Sequence, residues 1–141
     1  MISTRGRYAI RVLIDLAEHR GEPYTPMKEV ARRQEISLKY LEKIMPLLSK
    51  AGLVEGQHGK GGGYRLLAEP AQCRVGDVLR LTEVDLAPVA CLSAPANPCH
   101  RAAGCKTLPM WQKYYEITLH YFDSITIEDL LMQKSGENQT I

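Results

Sequence analysis

The fold is decided by residues 25–67, "TPMKEVARRQEISLKYLEKIMPLLSKAGLVEGQHGKGGGYRLL". Thr25-Pro26 places a capping residue before a proline at the first helical position, so a short helix is expected from about Pro26 to Gln34. Met27, Val30 and Ala31 form its inward face. "EIS" is a tight connection. Ser37 then caps a second helix, with Tyr40, Leu41, Ile44, Leu47 and Leu48 on the buried side and Gly52 as its stop. Pro46 lies inside this pattern and is placed to bend it. Two short helices joined by three or four residues, the second polar along its outer face, are a helix-turn-helix. The next residues make the reading more specific. "LVEG" and "YRLL" are strand-like runs on either side of the glycine-rich tip "QHGKGGG". A β-hairpin directly after the reading helix is the layout of a winged helix.

Upstream, Tyr8, Ala9, Val12, Leu13, Leu16 and Ala17 recur at helical spacing, with Ser3 or Thr4 as cap and Gly21 as terminator near His19 and Arg20. Downstream, Val75, Val78, Leu79 and Leu81 predict one short amphipathic helix. A long helix begins near Pro109. Its apolar residues (Trp111, Tyr114, Tyr115, Ile117, Leu119, Tyr121, Phe122) occupy more than one face, so it needs two partners, its own domain and the same helix of a second subunit. Trp111, Tyr115 and Phe122 are the residues assigned to that homodimer contact. A closing helix starts at Thr126, with Asp129 three positions on as in a capping box. The expected fold is therefore mainly α with one small β-hairpin: a winged helix-turn-helix over residues 1–70, then a sensor loop and dimerisation region over 71–134. Residues 135–141 are expected to be a disordered tail.

The chain has 141 residues and a net charge of only +2, unevenly spread. Residues 1–65 hold 12 Lys and Arg against 7 Asp and Glu; residues 66–141 hold 6 against 9. A basic head fits a polyanion-binding module. In a winged helix the second helix of the motif enters the major groove of duplex DNA and the wing lies on the adjacent backbone or minor groove. The candidate DNA contacts are Ser37, Lys39, Tyr40, Glu42 and Lys43 on the reading helix and His58, Lys60 and Arg65 on the wing. Arg5 and Arg7, at the start of the first helix, add phosphate contacts. "GKGGGY" leads into a strand rather than a helix and lacks the Ser or Thr of a Walker loop, which excludes a nucleotide site. No nucleophile elbow, H-E-x-x-H or dinucleotide fingerprint is present, so the chain does not read as an enzyme.

No run approaches eighteen apolar residues, so no membrane span is expected. The N-terminal stretch carries charges through its apolar part, unlike a signal peptide. The expected location is the cytoplasm, where thiols stay reduced and a cysteine cluster binds metal or senses redox state. Cys91, Cys99 and Cys105 fall within fifteen residues of the loop from about Asp85 to Leu108. Seven and five residues separate them, unlike the tight pairs of zinc ribbons. A long, proline-broken loop can wrap thiolates around something wider than one ion, such as an iron–sulfur cluster. Thiol redox switching and zinc remain the alternatives. Cys73, beside an apolar helix, reads as a core residue.

Over nearly all of residues 1–134 the chain resembles the family of winged-helix regulators that includes IscR, NsrR and CymR. The resemblance is carried by "STRGRYAIRVLIDLA" (3–17), "ISLKYLEKIMPLLSKAGLV" (36–54), "GKGGGYRL" (59–66), and the three-cysteine loop followed by "LPMW" (108–111). It implies homodimers crossing through the long C-terminal helix and near-palindromic double-stranded DNA operators. In cluster-bearing members it also implies sensing of redox, nitric oxide or iron–sulfur status through a 2Fe–2S or 4Fe–4S cluster. By this similarity Cys91, Cys99 and Cys105 match the cluster ligands. The fourth ligand departs from the pattern. IscR-like members place a histidine where Leu108 stands, and NsrR-like members an acidic residue where Arg7 stands. His100, or Asp15, Glu18 or His19 of the partner subunit, are the substitutes available. CymR-like members carry no cluster, which leaves a cluster-free regulator signalled by thiol chemistry, a small molecule or a protein partner as the alternative.

Overall fold

The computed structural model describes residues 1–93 and 99–133. Among these residues six helices and one hairpin run in the order α1 (Thr4–Glu18), α2 (Met27–Gln34), α3 (Leu38–Lys50), β1 (Val54–Gln57), β2 (Gly63–Leu66), α4 (Val75–Thr82), α5 (Leu108–Ser124) and α6 (Ile127–Leu131). Short 3₁₀ turns at Pro70–Gln72, Ala90–Leu92 and Ala102–Gly104 punctuate the connections. The winged helix-turn-helix with a long C-terminal helix is thus observed. The expected disordered tail, 135–141, lies outside the described residues.

Local signals act where the sequence places them. Ser3 Oγ caps α1 by accepting from the Gly6 N–H, and Ser37 Oγ caps α3 by accepting from the Tyr40 N–H at 3.1 Å. At the end of α3, Gly52 N–H bonds the Ser49 carbonyl and Leu53 N–H reaches back to Leu48, the paired bonds of a Schellman motif. The helix continues through Pro46. Thr126 and Asp129 form the expected capping box on α6. Thr25, however, does not cap α2: Pro26 is the N-cap residue, without a side-chain bond. Thr25 is buried, and its backbone exchanges two hydrogen bonds with Tyr64, at 2.8 and 2.9 Å. This bridge ties the wing to the entrance of α2. It works because Gly63, at φ +149, passes so close to the Thr25 carbonyl that a side chain there would collide with it. The hairpin register pairs Val54 with Leu66 and Gln57 with Gly63.

Among the described residues one core joins elements from α1 to α6 other than α5. Val12, Leu13, Val30, Leu41, Ile44, Leu48 and Val54 are buried together, and Met45 joins them although it was not expected inside. Cys73, Val78 and Ile127 lie in the same cluster, so elements on both sides of residue 70 share it. Leu81, expected on the inner face of α4, is instead exposed. Asp15 is a carboxylate buried at 0% exposure between α1 and α2. Arg33 binds it with two N–H groups, at 2.7 and 3.0 Å, and Gln34 donates at 3.0 Å. Burial alone would push this carboxyl up, but the bonds from Arg33 and Gln34 outweigh it and hold its pKa below the ordinary value.

Candidate nucleic-acid interface and cysteine loop

The capping and core pattern of α3 leaves Ser37, Lys39, Glu42 and Lys43 exposed along one side. Tyr40 is half-buried; its ring meets Tyr8 edge to face, centroids 5.2 Å apart. Its aromatic body belongs to the α1–α3 contact. Ser37 Oγ is occupied as the cap acceptor, leaving its own proton to donate. At the wing, His58 and Lys60 stand exposed on the tip. Arg65 is exposed but engaged: its Nε donates to Glu55 Oε2 at 2.7 Å and its guanidinium covers the Tyr24 ring at 5.1 Å. Arg7 is exposed and donates to Thr4 Oγ1 at 3.2 Å. Arg5 is turned to the end of α4, donating to the Thr82 carbonyl from Nε at 3.0 Å and also from Nη2. The fold therefore leaves the candidate residues of α3, Tyr40 apart, and of the wing tip exposed, with Lys39, Lys43 and Lys60 outside any described ion pair. It gives Arg5 and Arg65 partners within the chain.

The helix α5 is built differently. None of its residues is buried. Trp111, Tyr115 and Phe122 are half-buried. Met110, Tyr114, Ile117 and Tyr121 are 54–60% exposed and stand at spacings of four, three and four, one stripe of the helix. At its C-terminal end α5 is clamped to α4, where Arg80 binds Asp123 with two bonds, at 2.7 and 3.0 Å. Those bonds hold the Asp123 carboxyl below its usual range.

The cysteine loop leads into the other end of α5. Cys91 is half-buried in the turn Ala90–Leu92, and Cys99 and the adjacent His100 are exposed. Cys105 caps the turn Ala102–Gly104 and lies 3.3 Å from Thr107 Oγ1. That hydroxyl bond, then the backbone N–H groups of Thr107 and Leu108 at the start of α5, pull the Cys105 thiol pKa down. Cys73 is buried, and burial pushes its thiol up. Cys73, Cys91 and Cys105 are free thiols. Among the described residues no three His, Cys, Asp or Glu side chains are gathered as a metal site. Asp15, considered as a fourth ligand, is enclosed by Arg33 and Gln34. Glu18 is exposed, and His19 Nδ1 lies 2.7 Å from the Asp15 carbonyl.

A family model described as an iron-dependent transcriptional regulator, Rrf2, matches residues 2–133. The chain belongs to the Rrf2 family. It is 38% identical over 135 residues to Protein rrf2 of Nitratidesulfovibrio vulgaris, covering 95% of this chain and 89% of that protein. Among solved structures it is similar to T. potens IscR, with TM-score 0.73 and 35% identity over 93% of this chain and 85% of that one. It is also similar to CymR, the global cysteine regulator of B. subtilis, with TM-score 0.76 and 34% identity over 93% of this chain and 95% of that one. This Rrf2 protein is accordingly a DNA-binding transcriptional regulator and not an enzyme. No helix among its described residues is long and apolar enough to cross a membrane.

Sequence reasoning assigns Trp111, Tyr115 and Phe122 to the dimer contact; the structure leaves these half-buried and exposes Met110, Tyr114, Ile117 and Tyr121 more. Sequence reasoning does not see the Asp15 clamp or the bond from Arg5 to Thr82, which join residues 18 and 77 positions apart and leave no local trace.

Proposed function

We propose that this Rrf2 protein is a homodimer that binds a near-palindromic double-stranded DNA operator and senses redox, nitric oxide or iron–sulfur status through its cysteine loop. The observation that carries the reading is the position of Cys105. Its thiol is bonded to the first turn of α5, the helix with no buried residue and an open apolar stripe. A change at the thiols thus acts directly on the helix that a second subunit would cover. Two reading helices must match half-sites about one helical turn apart, so their spacing governs affinity. In this reading α5 pairs with its copy through Met110, Tyr114, Ile117 and Tyr121, flanked by Trp111, Tyr115 and Phe122. Lys39, Lys43, Lys60 and Arg7 neutralise phosphates, and Glu42 accepts from a base amino group.

The donor set suits an iron–sulfur cluster in kind: three thiols on one loop, the Cys105 thiol with its pKa lowered by its bonds to Thr107 and Leu108. Cys91, Cys99 and Cys105 would hold it, with His100 the neighbouring candidate for a fourth position. A bound cluster would supply a centre reactive toward oxidants and nitric oxide. A second reading, thiol chemistry without a cluster, is favoured by two observations. The described residues show no gathered ligand set, and the Cys105 thiol has a depressed pKa. Visible and electron paramagnetic resonance spectra of protein kept from oxygen separate the two. Colour that is bleached by Cys99→Ala supports the cluster. Colourless protein after anaerobic iron and sulfide reconstitution, with rapid alkylation at Cys105, leaves the thiol switch.

A further inference from the structure

The start of α1, the middle of α3 and the end of α4 meet at one place. There a shallow cleft of about 330 Å³ is lined by Ser3, Arg5, Tyr40 and Lys43. Two of these four side chains are held by α4 and the residue after it. The Thr82 carbonyl, at the C-terminus of α4, accepts from Arg5 Nε and Nη2. The Glu83 carboxylate accepts from Ser3 N–H at 3.0 Å and from Ser3 Oγ–H at 2.7 Å. Contact is so close that Gly6 leaves no room for a Cβ against Glu83 Oε1. A guanidinium carries five donors. Two of them on Thr82 leave the others, with Lys43 Nζ and the Tyr40 hydroxyl, to serve one anionic group.

Building on the DNA-binding reading, we infer that this cleft seats one backbone phosphate of the duplex and that Glu83 is the positioning residue that shapes it. Glu83 does not touch the phosphate. It fixes Ser3 and the first turn of α1, and so sets where Arg5 stands relative to Lys43. A carboxylate beside a phosphate would ordinarily repel it. Here Ser3 donates two hydrogen bonds to Glu83, and those bonds, rather than the charge, are what the site uses. Glu83 is also the first residue after α4, at the entry to the segment that carries the cysteines.

The test is a double-mutant cycle on a duplex that the wild-type protein itself selects from a random pool. Glu83→Ala and Arg5→Ala are each expected to weaken binding about tenfold, the loss of one charged hydrogen-bonded contact. Each is also expected to lower the salt slope by about 0.9, the loss of one phosphate. The double variant is expected to be no weaker than either single, because both remove the same contact. Glu83→Gln keeps an acceptor for Ser3 and removes the charge, so it is expected to bind at least as well as wild type. A merely structural Glu83 would lower thermal stability and leave the salt slope unchanged. Additive losses, or a Glu83→Ala slope equal to wild type in protein with intact helical circular dichroism, overturn the inference. Failure of the wild-type protein to enrich any duplex would instead sink the DNA-binding reading on which it rests.

Discussion

The DNA-reading head and the C-terminal arm are both helical but are made by opposite rules. In the head, α1, α2 and α3 each bury residues in a common core, and the buried carboxylate of Asp15 is enclosed by three hydrogen bonds. In the arm, α5 is seventeen residues long and buries none of them. The head is closed by elements from both sides of residue 70, with Cys73, Val78 and Ile127 in its core. The arm is complete only against something else, and the cysteines sit where it begins. In the proposed function this contrast would let a chemical event at the loop act on the uncovered helix without unfolding the core.

The largest effect is expected at Asp15, where the head is most tightly closed. Asp15→Asn removes the buried partner of Arg33, which keeps only its bond to Glu29 at 3.1 Å, and is expected to destabilise the head by about 2–3 kcal/mol, read by urea denaturation. The pH dependence has a fixed sign. Because the folded pKa of Asp15 lies below its unfolded value, its contribution is full above about pH 4 and is lost as pH falls through the folded pKa. Wild type should lose stability in that acid range, and Asp15→Asn should show a flatter profile there. In the arm, where nothing is buried, Ile117→Glu should leave the fold intact and act on assembly alone. It should convert a dimer to a monomer in sedimentation while helical circular dichroism is kept; an unchanged sedimentation coefficient would place the dimer contact elsewhere.

How much of this is legible in the sequence depends on the range of each interaction. The Ser37 cap, the Gly52 stop, the Thr126–Asp129 box and the periodicity of α1 are encoded within four residues of where they act, and all are observed. Thr25 misleads because its sequence neighbour Pro26 points to a cap, whereas the deciding partner is Tyr64, on the wing. Arg65 reads as a DNA cation, and its bond to Glu55, set by the cross-strand register ten residues away, is not visible locally. The family resemblance locates the three cysteines but does not supply their geometry, since ligand spacing in a loop says nothing of where its turns direct the thiols.

The smallest expected effects lie on the head's own surface and grade its cations. Lys60→Ala should lower the salt slope of duplex binding by about one unit, the loss of one phosphate contact. Arg65→Ala should change it by less, because that guanidinium already faces Glu55 and Tyr24. Equal effects would mean that Arg65 abandons those partners on DNA.

In the proposed mechanism the loop controls the head through the subunit arrangement. The most direct test is the affinity of one anaerobic protein sample for its selected duplex, before and after reconstitution with iron and sulfide, alongside Cys99→Ala. The predicted result is a change of about tenfold or more in Kd that appears with visible colour in wild type and is absent in Cys99→Ala, a coupling of the size typical of allosteric ligands. Coloured protein with the same Kd in both states would contradict it.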